Sequence, residues 1–181
     1  MIFPETIVLM LSVRCAGGHQ DVGMVGRDGM VGWSHVLGDS MPFDARVVVQ
    51  SGSALLIPAA RFAEMTGEDA EWLRLAVRFS QRLGYQVARN LASGLGDSAE
   101  RRLARLLLML HERLESDELP VTHLFLATTL NIRRATVTDT LHILEGSRLL
   151  RCTRGRIVIR DADALRACAG PAHGPGEQAV F

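Results

Sequence analysis

Two pairs of arginines, Arg133–Arg134 and Arg154–Arg156, offer the clearest chemistry in this 181-residue chain. A guanidinium presents several donors in a rigid fork. It can give two hydrogen bonds to guanine O6 and N7, or clamp a phosphate. Between Pro120 and Arg160 there are seven arginines and two acids, Asp139 and Glu145, a local charge of +5 in a chain whose formal total is zero. Positive charge is therefore concentrated where a polyanion would lie.

The elements that must position these arginines are legible around them. THLFLATTL predicts a helix capped by Thr122, with Leu126 and Leu130 inward and small Ala127 where a steeply crossing helix comes close. Asn131 tolerates the left-handed backbone of a sharp turn, and Ile132 plugs the gap between helices. A second helix runs from Arg133 to about Leu144. Val137, Leu141 and Leu144 face inward, while Arg133, Arg134, Ala135, Thr138, Asp139 and His142 share the outer face. LLRCT and RIVIR then form a hairpin about Arg154-Gly155. Helix, turn, helix and hairpin make the pattern of a winged helix-turn-helix, whose second helix suits the major groove of double-stranded DNA. On this reading Thr122, Arg133, Arg134, Ala135, Thr136, Thr138, Asp139, His142, Arg154 and Arg156 are the DNA-binding residues. The competing reading is a helical hairpin with solvated arginines; the basic wing weighs against it.

Composition narrows the remaining classes. The apolar share of 48% supports a buried core. No uninterrupted apolar run is long enough to span a membrane, and MIFPETIVLMLSV lacks the basic start of a signal peptide. Three scattered cysteines, 15, 152 and 168, fit a reducing cytoplasm rather than a disulfide framework. All twenty basic residues are arginine; codon bias explains this as well as function does. The six histidines form no HxH or HExxH spacing, and GMVGRDGMVG lacks the Lys-Ser/Thr of a phosphate loop. No catalytic residues, metal ligands or cofactor are assigned.

Upstream, the first sixty residues are strand-like and turn-rich. TIVLMLSVR ends at Gly17-Gly18, QDVGMV leads to a turn at 26–29, and 46–50 with 54–57 predict a hairpin about Ser51-Gly52-Ser53. From about Asp69 to Leu91 the period becomes helical. Trp72, Leu75, Ala76, Phe79, Leu83, Val87 and Leu91 form one apolar stripe, which fits an ordinary core helix or a helix that also meets a partner; its residues from Trp72 to Val87 are assigned here to dimerisation. Ser93-Gly94-Leu95-Gly96 reads as a hinge. Asp97 then opens another helix, with Glu100 placed for a capping box, and GPAHGPGEQAVF reads as a disordered tail.

This order of elements, together with FPET at 3–6, DVGMVGRDGMVG at 21–32, AERRLARLLLML at 99–110 and SDELPVTHLFLATTLNIRRATVT at 116–138, resembles the Crp/Fnr family of bacterial transcription regulators. The resemblance implies an α+β fold: a partial N-terminal β-roll of the cupin-like jelly-roll kind over 1–66, a long dimerisation helix and hinge over 67–96, a winged helix-turn-helix over 97–169 and the tail from 170 to 181. It also implies a cytoplasmic homodimer on a two-fold symmetric operator, and contact with RNA polymerase in an activator.

Departures from the family pattern refine this expectation. The Gly-Glu pair that holds a cyclic nucleotide's ribose is replaced by Gly29-Met30-Val31-Gly32, and the cationic phosphate position reads Phe43-Asp44-Ala45. An aspartate there repels an anion, so cAMP binding is not expected. The chain also enters the roll partway, as a late start, a fragment or a truncated product would. In the recognition helix Arg134 matches a base-reading arginine, whereas Ala135 and Asp139 replace a glutamate and a second arginine, implying a different operator. Two other classes remain open: a truncated member that heterodimerises through 72–91 without binding an operator, and a small cupin-like metal enzyme using His19 and His35.

Overall fold

The computed structural model describes residues 1–37, 43–48 and 52–170. The chain divides into two compact units, one comprising Met1–Ala88 and the other beginning at Arg89. Mixed helix and sheet are arranged as an N-terminal β domain, a long helix and C-terminal helix-turn-helix elements.

In the first unit, β2 (Leu9–Cys15) and β3 (Gly18–Val25) form an antiparallel hairpin, and β4 (Asp44–Val47) pairs with the other side of β2. A register shift at Leu11/Ser12 moves the pairing from Leu11↔Gly23 to Ser12↔Asp21, leaving Val22 as the extra residue of a bulge. A separate two-stranded sheet pairs β1 (Ile2–Pro4) with β5 (Ala54–Leu56), in the register Ile2↔Leu56.

The hairpin expected between 46–50 and 54–57 is therefore not formed. β4 and β5 belong to different sheets, while residues 49–51 lie outside the described residues. An apolar run identifies a strand without identifying its neighbour. Here the neighbour is set by ties from the chain's beginning: the Met1 ammonium donates to the Ile57 carbonyl at 2.7 Å, and the Ser53 N–H donates to Thr6 Oγ1 at 2.8 Å.

One helix and the greater part of another complete this unit. α1 (Ala59–Glu68), not anticipated from the sequence, buries Phe62. α2 (Ala70–Gly96) is longer than expected: the glycines at 94 and 96 remain helical, and the Asp97 N–H still donates to the Ser93 carbonyl at 3.0 Å. The expected hinge at 93–96 is thus a continuous helical turn. Glycine lowers helix stability by about 1 kcal/mol, too little to break a helix by itself. The interruption comes at Asp97-Ser98.

The stripe assigned to dimerisation is largely occupied within the chain itself. Ala76, Phe79 and Leu83 join Leu11, Val25, Met30 and Phe62 in one buried cluster, with Trp72 and Val87 packed against it. Leu75 is only half-buried. Two glycines make this packing possible. A Cβ at Gly29 would lie 2.2 Å from the Phe79 ring, and one at Gly23 would lie 3.0 Å from a Leu83 methyl. Gln86 fixes the helix on the edge strand. Its amide accepts from the Met24 N–H at 2.5 Å and donates to the Met24 carbonyl at 3.1 Å, as a neighbouring strand would.

The second unit is built on α3 (Ala99–Leu114), which is buried from Leu103 to Leu110. Its cap is Ser98, whose hydroxyl accepts from the Arg101 N–H, rather than the expected Asp97. Glu100 instead accepts the Cys168 thiol at 3.5 Å from α6 (Ala162–Ala169), a helix not anticipated from sequence. The expected tail beyond Gly170 lies outside the described residues.

Burial and the Glu145 carboxylate raise the Cys152 thiol to about 11; burial and the hydrogen bond to Glu100 raise Cys168 to about 11. Thiolate is the reactive form, so iodoacetamide at pH 8 should label exposed Cys15 first, measured by peptide mass spectrometry. Because both folded values lie above the ordinary value of 9.0, these thiols favour the folded state below pH 9. That contribution should be lost as pH rises from 9 to 11, and Cys152→Ala should flatten the fall in Tm over this window.

Candidate nucleic-acid interface

The helix-turn-helix elements belong to the second unit. α4 (His123–Leu130) begins at Thr122, whose Oγ1 accepts from the Phe125 N–H at 3.1 Å, and it buries Leu126 and Ala127. Leu130 is only half-buried. The helix ends at Asn131, which is left-handed at φ +50°. Its terminal carbonyls are occupied: the Ile132 N–H reaches the Ala127 carbonyl at 3.1 Å, and the Arg102 guanidinium of α3 donates to the Leu130 carbonyl. The turn is thus pinned to the helix beneath it.

α5 (Arg134–Gly146) follows with Arg133 in the capping position. Val137, Leu141 and Leu144 are fully buried, and Thr140 is nearly so. The opposite face presents Arg133, Arg134, Ala135, Asp139 and His142 to solvent. An arginine has no side-chain acceptor for the helix's first N–H groups, and no side-chain hydrogen bond caps this end. Two guanidiniums therefore stand beside backbone donors at the positive end of the helix dipole, a setting suited to a phosphate or a base edge.

The threonines of α5 are more constrained than the sequence suggested. Thr138 donates to the Arg134 carbonyl at 3.1 Å, and its hydroxyl also lies 3.0 Å from His123 Nδ1. Thr136 is half-buried, and its carbonyl accepts from the Thr140 hydroxyl at 2.7 Å. Thr138 therefore joins α5 to the start of α4 as well as bordering the exposed face.

The wing is β7 (Leu150–Thr153) and β8 (Arg156–Ile159), paired as Leu150↔Ile159 through Thr153↔Arg156. Arg154 occupies the turn, with Gly155 at φ +75°. A third strand, β6 (Glu118–Leu119), adds to β8 in the register Glu118↔Val158. Sequence reading passed over it, since two residues show no period. Alternation puts Leu119, Ile157 and Ile159 inside, and Glu118, Arg151 and Arg156 on the outer face.

Two acids temper this basic region. Glu145 accepts from the Cys152 N–H at 2.9 Å, tying the end of α5 to the wing. Glu118 pairs with Arg156, so one predicted DNA contact already has a carboxylate partner. Glu118 is the residue that sequence reasoning missed. The available signal was an acid just before Leu119-Pro120, whose strand partner could not be read locally.

In the N-terminal unit, the two histidines of the alternative metal reading have different neighbours. His19 lies 3.1 Å from Asp44, whereas His35 borders a cavity of about 80 Å³ lined by Leu11, Met30, Trp33, Phe43 and Leu83. Among the described residues no three His, Cys, Asp or Glu side chains gather as a metal site. No helix among them is long and apolar enough to cross a membrane.

Residues 101–168 match the Crp-like helix-turn-helix domain. No curated protein matches the sequence. Among solved structures, a CRP-family transcriptional regulator from Thermus thermophilus is similar with a TM-score of 0.76 at 19% identity, covering 96% of this chain and 89% of that one. FixK2 from Bradyrhizobium japonicum gives a TM-score of 0.71 at 17% identity, covering 93% of this chain and 85% of that one. The c-di-GMP-responsive global regulator CLP from Xanthomonas campestris gives 0.67 at 16% identity, covering 87% and 83% of the two chains. Residues 101–168 are therefore a Crp-like helix-turn-helix domain, in a chain with the fold of the Crp/Fnr transcription regulators.

Proposed function

We propose that this protein is a DNA-binding transcription regulator acting in the cytoplasm, and that it engages a two-fold symmetric operator as a homodimer. The observation that carries this reading is α5: a fully buried Val137–Leu141–Leu144 row backing an exposed, uncapped start with Arg133 and Arg134. Arg134 reads a base edge, Arg133 grips phosphate or base, and Arg154 contacts the DNA backbone from the wing turn. Thr122, Ala135, Thr136, Thr138, Asp139 and His142 complete the surface around them. As an activator it would also touch RNA polymerase.

The dimer surface proposed is the outward face of α2. With Phe79 and Leu83 in the protomer's own core, Leu73, Val77, Gly84, Ala88, Leu91 and Leu95 remain exposed at spacings of four, seven, four, three and four. That period makes an apolar seam able to meet its symmetry mate. Trp72, Leu75, Ala76 and Val87 support the seam from behind, or at its margin.

We further propose that no cyclic nucleotide is the signal. Where the family pattern places a cation for the cyclic phosphate, this chain carries Asp44, whose carboxylate lies 3.8 Å from Arg14 and 3.1 Å from His19.

Selection of an operator from random duplexes tests the central assignment. Arg134→Ala should cost about 1–3 kcal/mol per half-site and flatten preference at one operator position. Arg154→Ala should weaken binding to all sequences alike and lower the salt slope by about 0.9 per lost contact. An unchanged preference in Arg134→Ala with an altered one in Arg154→Ala would place the reading element in the wing. For the dimer, the double variant Val77→Glu with Leu91→Glu should be monomeric by light scattering; a dimer as stable as the parent would exclude this face.

A further inference from the structure

The wing sheet fixes Glu118 beside Arg156 by register rather than by chance. Glu118 opposes Val158, and Arg156 lies two residues away on the same face of β8. Such diagonal neighbours are about 7–8 Å apart at the backbone, within reach of long side chains. The Glu118 backbone is held by Ser116, whose Oγ accepts the Glu118 N–H and donates to its carbonyl, each at 3.1 Å. The adjacent acid, Asp117, has its own partner in His111 at 2.8 Å. Glu118 is therefore the carboxylate directed at the wing arginine, and it presents to Arg156 the same oxygen chemistry that a phosphate would.

We infer that Glu118 is an internal competitor for DNA phosphate, occupying Arg156 and so restraining backbone attraction at the wing; this rests on the proposed DNA binding. The pair is open to exchange, since the Arg156 and Glu118 side chains are 62% and 49% exposed. A phosphate approaching Arg156 must displace the carboxylate or share the guanidinium with it, and in either case meets its charge nearby. Arg156 thus adds little to the counterion release that drives sequence-independent binding, whereas Arg154 in the turn adds a full contact. Specific recognition falls correspondingly more on α5.

The test is a cycle of Glu118→Gln, Arg156→Gln and the double variant, measured on a duplex without operator sequence across 50–200 mM salt. Glu118→Gln should steepen the log–log salt slope by about 0.9 for each freed contact. Over that fourfold salt range, this enlarges the loss of affinity by about 3.5-fold per contact. Arg156→Gln should change the slope little, and adding Glu118→Gln to it should change nothing further. An unchanged slope in Glu118→Gln, in a protein that binds DNA, overturns the inference alone. A gain of equal size in the Arg156→Gln background also overturns it, because the carboxylate would then act only as a general charge. Failure of the parent protein to bind any duplex overturns the proposed function, and the inference with it. Glu118→Thr, which keeps a strand-forming residue, checks that the slope follows the lost charge.

Discussion

The surface proposed to meet DNA depends on the burial of one side of α5. Val137, Leu141 and Leu144 are inaccessible to solvent, and their spacing of four and three residues fixes the helix's rotation about its axis. Each such side chain contributes about 1.5–3 kcal/mol when taken from water. Turning the helix to bury Arg133 or Arg134 would therefore expose apolar groups and desolvate a charge. The arginines point outward because their neighbours cannot. Asn131 and the carbonyls bonded by Ile132 and Arg102 then set the angle at which α5 leaves α4.

Electrostatics acts on this frame locally. The +5 charge of 120–160 includes Glu145, yet that carboxylate serves the backbone of Cys152, and Glu118 lies just outside the interval while pairing within it. Summed sequence charge thus overstates the freedom of Arg156 and says nothing of where the acids are spent. Exposed ion pairs contribute little stability. Their consequence lies in which cations remain available to a polyanion.

The C-terminal unit was legible because its signals are local. Thr122 caps the helix that follows it, Asn131 takes the left-handed conformation its side chain tolerates, and the period of α5 shows in thirteen residues. The N-terminal unit depends on partners distant in sequence. β5 pairs with β1 across about fifty residues, and no pattern within 54–56 names that partner. The apolar stripe of α2 was visible, but a period cannot say whether its face meets the same chain or another. Gly29 and Gly23 decide that matter by admitting Phe79 and Leu83 against the sheet, and their purpose shows only in three dimensions. β6 was missed for the same reason: its two residues acquire meaning only against Val158 and Ile157.

The proposed function depends on Arg134 reaching a base edge in the major groove from the exposed side of α5. Methylation interference on a selected operator tests this most directly, since dimethyl sulfate modifies guanine N7 in the major groove and adenine N3 in the minor groove. N7 methylation at one or more guanines per half-site should abolish binding, and Arg134→Ala should remove the interference at one of them. Binding indifferent to guanine N7 but blocked by adenine N3 methylation would contradict the proposed function.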